Sequence, residues 1–413
     1  MDKLIKEIYP ILPYGSIMRM SDVIVIGGGP SGLILSAELA KKGISVLVCE
    51  EHNEVGYPNH CAGLVSINCI KDFMNFSLNE DFILNRVRGA KIYSPTGEIE
   101  LIVERSRPQA VVLDRKLMDK ALYEIALTQG VRVLLNTKVI EIVLKEPLHE
   151  VKVNKTTLEC QILVDAEGTK FKFVKIIGAN SPIMFKDILP AIQAEVRGIK
   201  DLDTNYVEIY LGRVWASKFF AWIIPLDEKT ARIGLASSKR APFQLLESFM
   251  RHHPRVKDRV TKAKIKRLFA GLVYIGGPLD KTFTTRALLI GDAGGFTKPT
   301  TGGGVFTGAV SSRIAARVIE LAHDTSNFSY NVFALYEKLW KRALGRELML
   351  MKSFRKLLWS LPDSLLEKLM KYTKELDLSY IVKRYSGVDY QLSNIGFESF
   401  LKALLNIIRN IIT

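Results

Sequence analysis

Two glycine-rich stretches about 260 residues apart constrain this chain more than any other feature: Gly27-Gly28-Gly29-Pro30-Ser31-Gly32 near the start, and Gly291-Asp292-Ala293-Gly294-Gly295 after the apolar run Leu288-Leu289-Ile290. The first follows Asp22-Val23-Ile24-Val25-Ile26, a β-branched run suited to a buried parallel strand. Gly27 allows a tight turn, Gly29 lets backbone approach a pyrophosphate, and Gly32 lets the next helix pack closely on the strand. That helix reads from Leu33 to Lys42 and ends at Gly43. The strand Ser45-Val46-Leu47-Val48-Cys49 then delivers Glu50, about 20 residues past the glycines, where a carboxylate accepts hydrogen bonds from an adenosine ribose. Strand, glycines, helix, strand and acid together make a dinucleotide-binding unit.

The second stretch is a strand ending in an acid. Asp292 can bond the ribityl hydroxyls of an extended FAD, and Gly302-Gly303-Gly304 before a helix can turn N–H groups toward the pyrophosphate or the pyrimidine edge of the flavin. The pair of motifs therefore implies FAD as the cofactor.

A chain of 413 residues that is 48% hydrophobic can bury a large core and has room for two or three domains. Its cysteines, Cys49, Cys61, Cys69 and Cys160, form neither a CxxC pair nor a disulfide framework, which suits a reducing cytoplasm and gives no zinc or other metal site. The net charge of +15 favours anionic partners: nucleic acid, a membrane surface or phosphorylated substrates. Nucleic acid is disfavoured, because aromatic residues are not interleaved with the basic run Arg251 to Arg267 as stacking platforms require. Asp2, Glu7, Pro10 and Pro13 exclude a signal peptide, so residues 1–20 read as a leader, with a short membrane-touching arm as the alternative. No apolar run is long enough to span a bilayer.

The fold class read from these patterns is α/β (α+β overall): a Rossmann-like FAD-binding domain, an inserted antiparallel-sheet substrate domain and a C-terminal helical region. The FAD-binding domain is discontinuous, at 21–56, 105–180 and 281–325; the substrate domain takes 57–104 and 181–280; the helical region is 326–413. Ala90 to Tyr93 and Glu98 to Val103 read as a hairpin across Ser94-Pro95-Thr96-Gly97. Lys116 to Gln129 reads as a helix, Lys138 to Leu144 as a strand, and Ile162 to Asp165 as a buried strand ending in an acid.

Six segments resemble the geranylgeranyl reductase family, flavoproteins related in fold to the p-hydroxybenzoate hydroxylase group. They are the glycine unit with Glu50; His60-Cys61-Ala62-Gly63-Leu64; Leu113-Asp114-Arg115; Asp165-Ala166-Glu167-Gly168; Gly271 to Pro278; and Gly291 to Gly295 with Pro299 to Val305. The resemblance implies that Cys61, Ala62 and Leu64 lie against the isoalloxazine and that Arg115 meets the phosphate or ribityl region of FAD. It places the Val139 backbone at the adenine, and Gly302, Gly303, Gly304 and Val305 at the flavin end. Cys61 and His60 are the candidates for chemistry, as flavin-tuning thiol and proton donor. A lone cysteine is also a good small buried hydrophobe, and a lone histidine is commonly structural.

Substrate specificity reads from Phe220-Ala221-Trp222-Ile223-Ile224-Pro225. Alternation puts Phe220, Trp222 and Ile224 on one strand face, an apolar wall for a prenyl chain, and an ordinary sheet core would alternate in the same way. The segment falls between the patterns of geranylgeranyl reductases and flavin halogenases: Phe220 stands where the former carry tyrosine, and Ile224 where they carry phenylalanine. Phe400, Leu401, Leu404, Leu405, Ile407, Ile408, Ile411 and Ile412 around Lys402, Asn406, Arg409 and Asn410 describe a basic amphipathic helix, suited to a membrane interface or to closing a core.

The function implied is an FAD-dependent reductase saturating C=C bonds of geranylgeranyl or polyprenyl chains of archaeal ether lipids, cytoplasmic or peripheral on the inner face of the membrane. Its electron donor is ferredoxin or NAD(P)H, and no second dinucleotide motif argues for tight NAD(P)H binding. The competing readings are a flavin monooxygenase or halogenase, a quinone-linked flavin dehydrogenase, and a non-catalytic flavin- or lipid-binding protein.

Overall fold

The structure, a computed structural model, describes residues 17–154, 156–179, 185–239, 241–375 and 387–392. Most of the leader and the amphipathic segment Phe400 to Ile412 lie outside the described residues.

Five parallel strands form the centre of an eight-stranded sheet in the spatial order Arg132–Leu134, Val46–Cys49, Ile17–Ile26, Thr156–Asp165, Ala287–Leu289. Numbered along the chain this order is 3-2-1-4-5, the doubly wound arrangement whose ligand crevice lies where the winding direction reverses, beyond the strand ends. The reversal falls between Ile17–Ile26 and Thr156–Asp165, whose ends pair at Ile26 and Asp165. Alternate residues of these strands enter two separate cores. Val23, Val25, Val46, Val48 and Val164 face one side, and Ile24, Ile26, Leu47 and Leu163 face the other. Burial on both faces explains why the strands read as unbroken apolar runs.

The first strand starts at Ile17, ahead of the apolar run that marks it in sequence. The helix after the glycines is Pro30–Ala40, beginning before Leu33 because the fixed φ of Pro30 suits a first helical position. Asp114 caps the helix Arg115–Thr128, accepting from the N–H groups of Lys116 and Leu117, a contribution of about 1 kcal/mol.

A second sheet of seven strands runs Lys264–Tyr274, Ile188–Arg197, Thr230–Ala236, Ala221–Pro225, Tyr206–Tyr210, Gly89–Tyr93, Glu100–Glu104. Every pair in it is antiparallel except Tyr206–Tyr210 with Gly89–Tyr93. One face packs on the helix Pro242–His252 through Ala194, Ile223, Ile233, Leu246 and Phe249. The other packs on a small sheet of Leu64–Ser66, Ala110–Leu113 and Ile83–Val87, and that junction carries the candidate site. Helices Val305–Asp324, Tyr330–Trp340, Arg346–Ser360 and Asp363–Glu375 follow. Among the described residues no helix is long and apolar enough to cross a membrane.

Two buried histidines give the fold an acid limit. His149 is 2% exposed with Nε2 against the Arg286 carbonyl, and His253 is fully buried among the rings of Tyr210, Trp215 and Phe249. Burial first, and then the nearby Arg286 and Arg255 charges, push each pKa down to about 4. Between about pH 6.5 and 4 the unfolded chain therefore binds protons that the native state refuses, and stability falls with pH across that window. The loss is roughly 2–3 kcal/mol per histidine at most. Urea unfolding from pH 7 to 4.5 should show a shallower decline for His253→Phe than for the wild type; an equal slope would refute the assignment.

Candidate functional site

The first glycine loop leaves the sheet at the reversal point. Gly27 has φ +101°, and a Cβ there would lie 2.5 Å from the Ala166 carbonyl oxygen, so the turn is pressed against the adjacent strand end. A Cβ on Gly32 would strike the Gly27 carbonyl, whereas one on Gly29 would meet nothing within 4 Å. The loop is thus tight where it joins the sheet and open at Gly29, the position suited to an approaching pyrophosphate. Glu50 holds the loop from the next strand, with Oε2 accepting from the Gly28 N–H at 2.7 Å and Oε1 from the His52 N–H at 2.9 Å. Val139 is buried in the same core as Leu47 and Cys49, with its carbonyl accepting from Lys172 Nζ at 3.1 Å.

Folding brings the late motif onto the first. Ser31 sits in a notch formed by two glycines, since a Cβ on Gly291 would lie 2.5 Å from its Oγ and a Cβ on Gly308 would also strike it. Ser312 Oγ donates to the Ser31 carbonyl at 2.9 Å, which joins the helices Pro30–Ala40 and Val305–Asp324. The Asp292 carboxylate lies against the α-carbon of Gly304, at the start of Val305–Asp324, leaving no room there for a side chain. Burial pushes Asp292 up to about 6 against the opposing Arg115 charge.

Arg115 is the electrostatic centre. Its guanidinium grips Asp119 at 3.1 and 3.0 Å and also reaches the Cys61 thiol. Burial alone would lower its pKa, but Asp119 and Cys61 outweigh that and keep it charged. Cys61 is half-buried; His60, exposed, donates Nδ1–H to the Pro58 carbonyl at 2.8 Å and lays its ring against Gly271.

The apolar junction collects Ala62 and Leu64 with Phe219, Phe220, Trp222 and Ile224. The strand begins at Ala221, so Phe219 and Phe220 stand in the preceding turn with their rings stacked at 4.2 Å. Pro225 ends the strand, and its carbonyl accepts from Asn85. Gly302 abuts both Val273 and Phe219, so the helix-start loop touches this wall. Trp222 lies over Gly234 beside Gln193, where any Cβ would strike both side chains. The Trp222 Nε1 and Gln193 Oε1 are buried without a partner among the described residues.

Three features were not among the residues singled out from sequence. Gln193 Nε2 donates to the Cys61 carbonyl at 2.9 Å. Buried Arg232 reaches from the middle of a strand to the carbonyls of Ala62 and Leu113, at 2.8 and 2.9 Å. Lys298, whose backbone closes the loop to Gly302 and Gly303, forms a 3.0 Å ion pair with Asp389, both side chains 7% exposed. Thr300 binds Gln391, Val388 enters the apolar junction, and Tyr390 meets Phe306, so the segment Gly387–Leu392 is strapped over the loop. Arg232, between Ala231 and Ile233, reads in sequence as a solvent-facing strand position, and Asp389 carried no signal.

The chain matches the lycopene cyclase protein family model over residues 22–389. It is 33% identical over 379 residues to an uncharacterized protein of Methanocaldococcus jannaschii, covering 90% of this chain and 93% of that one. It is 30% identical over 374 residues to digeranylgeranylglycerophospholipid reductase 2 of Methanothermobacter thermautotrophicus, covering 88% and 94%. The chain belongs to the lycopene cyclase and geranylgeranyl reductase family. A geranylgeranyl bacteriochlorophyll reductase-like protein of Thermoplasma acidophilum superposes on it with a TM-score of 0.82 at 25% identity, covering 95% of this chain and all of that one. The family fold extends to the halogenase PltM in complex with phloroglucinol and FAD, with a TM-score of 0.70 and 15% identity over 94% of this chain and 91% of that one.

Proposed function

We propose that this protein saturates C=C bonds of polyprenyl chains, with geranylgeranyl chains of archaeal ether lipids as its substrates. It is an FAD-dependent oxidoreductase of the geranylgeranyl reductase type. The observation that carries the reading is the meeting of the dinucleotide cradle with the apolar junction of Ala62, Leu64, Phe219, Trp222 and Ile224 across Gly302. The parallel sheet (21–56, 105–180 and 281–325) is assigned to the cofactor, and the antiparallel sheet (57–104 and 181–280) to the substrate.

The residues present fit FAD. Gly27, Gly29, Pro30, Ser31 and Gly32 would receive the pyrophosphate, Glu50 the ribose, the Val139 backbone the adenine, and Asp292 with Arg115 the ribityl chain; Gly302, Gly303, Gly304 and Val305 would face the flavin ring. Reduced FAD supplies the hydride, and a proton completes each saturation. The wall excludes water and holds the alkene, as an isolated double bond without a polarising carbonyl demands. With FAD bound, helix Val305–Asp324 would turn its positive end toward the flavin and favour its reduced, negatively charged form. Cys61, held between Arg115 and the Gln193 amide, is assigned a place at the flavin face, with His60 at the rim.

Anaerobic incubation of the dithionite-reduced holoprotein with geranylgeranylated lipid tests this by mass spectrometry: each saturation adds about 2 mass units. Dioxygen-dependent oxidation instead would favour a monooxygenase or halogenase, and electron transfer to a quinone a dehydrogenase. Dithionite-reducible FAD with no change in any prenyl chain would leave only binding.

A further inference from the structure

We propose that an open polar cleft at the charged end of the apolar wall binds a phosphate-bearing head of the prenyl substrate; this rests on the reductase reading above. The cleft encloses about 1200 Å³ and carries five cations, Arg197, Lys229, Arg232, Lys266 and Arg267. None of the five forms an ion pair among the described residues. Of the four acids that share the cleft, Asp114 and Asp227 are engaged by backbone N–H groups, Asp114 at Lys116 and Leu117 and Asp227 at Lys229 and Thr230. Those bonds leave the carboxylate charges in place, so five cations against four acids give the cleft a formal net charge of +1.

Register ties this cleft to the wall. Trp222, Gly234 and Gln193 stand directly opposite one another in one row across three strands. Two residues along, the row becomes Ile224, Arg232, Glu195 and Arg267, and residues directly paired across strands share a face. Beyond it lie Thr230 and Arg197. The face therefore changes from largely apolar to charged, with Arg232 and Arg267 flanking Glu195, in one repeat of the pleat, about 7 Å. A ligand matching it carries a hydrocarbon chain joined directly to an anion. Guanidinium forks fit phosphate oxygens in pairs, which selects a phosphate over a neutral alcohol head. Arg232 touches both regions, since its guanidinium also holds the carbonyl of Ala62 beside the candidate flavin face.

The test compares a geranylgeranyl phosphate with geranylgeraniol, in one detergent, on the dithionite-reduced holoenzyme. Arg197 and Arg267 are exposed, so Arg197→Gln with Arg267→Gln spares the core. The double variant should raise KM for the phosphate by about tenfold or more while kcat for it and both constants for the alcohol stay within about twofold. Binding of the same phosphate to oxidised holoenzyme, by calorimetry, should weaken in parallel. Unmoved KM and binding would overturn the head site while leaving the reductase intact. If pyrophosphate or NADPH alone binds as tightly as the prenyl phosphate and is lost in the variant, the cleft takes a free phosphate or nucleotide and the lipid assignment fails. If the wild type reduces neither of these nor geranylgeranylated ether lipid, the reductase reading fails, and with it this inference.

Discussion

Gly27→Ala is expected to weaken FAD binding by about 100-fold. The residue stands at φ +101°, a conformation that costs an L-residue about 1–2 kcal/mol, and its new Cβ would lie 2.5 Å from the Ala166 carbonyl oxygen. That oxygen is backbone just past the end of the central strand Thr156–Asp165, anchored by the Ala166 N–H to the Ile26 carbonyl, so the turn itself must shift. Displacing the turn moves Gly28, whose N–H is held by Glu50, and Gly29, whose open side is assigned to the pyrophosphate. The φ strain falls on stability, as at Gly43, whereas losing the loop's contacts to the pyrophosphate through the displacement costs about 3 kcal/mol of binding, and each 1.4 kcal/mol is tenfold in affinity. Gly43→Ala is the control: it also has positive φ, at +78°, but nothing within 4 Å of the added carbon. It should cost about 1 kcal/mol of stability with unchanged FAD affinity. Titration of apoprotein with FAD, followed by flavin fluorescence, reads both. A Gly27→Ala protein binding FAD within threefold of wild type would remove the cradle assignment.

Lys298→Met is expected to destabilise the fold by about 3–5 kcal/mol, because it leaves Asp389 buried without its cation. The loss extends beyond one pair: Lys298 Nζ also donates to the Val388 carbonyl at 2.8 Å, and the strap continues through Gln391 and Leu392, whose N–H groups bind buried Glu347. Freeing the strap uncovers Tyr390 against Phe306 and Val388 in the apolar junction. The double variant Lys298→Met with Asp389→Leu should recover most of the stability, since replacing both charges removes the desolvation cost along with the attraction. Urea unfolding of the two single variants and the double closes the cycle. A loss below about 1 kcal/mol in Lys298→Met would mean the pair is solvated and the strap does not depend on it.

The glycine cradle proposed for the cofactor was legible as local structure because its constraints are local. A glycine that must turn, a strand that must be apolar and an acid a fixed distance on all fall within thirty or so residues. The apolar junction, proposed to take the substrate, was partly legible. Trp222 and Ile224 announced themselves by alternation, and they do share the apolar junction. Phe220 stands before the strand, stacked on Phe219, because the chain turns at that point and strand periodicity does not extend through a turn. Arg232 and Gln193 were passed over for the opposite reason: in an antiparallel strand a polar residue reads as solvent-facing, and only a neighbouring sheet buries it.

By itself, then, the sequence determined the doubly wound sheet, the two glycine motifs and the family, since these rest on short-range periodicity and on residues that no other side chain can replace. The tertiary structure decided what meets what. Ser31 enters the notch between Gly291 and Gly308, Arg115 grips Asp119 and opposes by its charge the burial that raises Asp292, Lys298 finds Asp389 across 91 residues, and five cations share one cleft. Such pairings depend on strand order and register, and these are set by the burial of whole faces against one another rather than by any local run of residues.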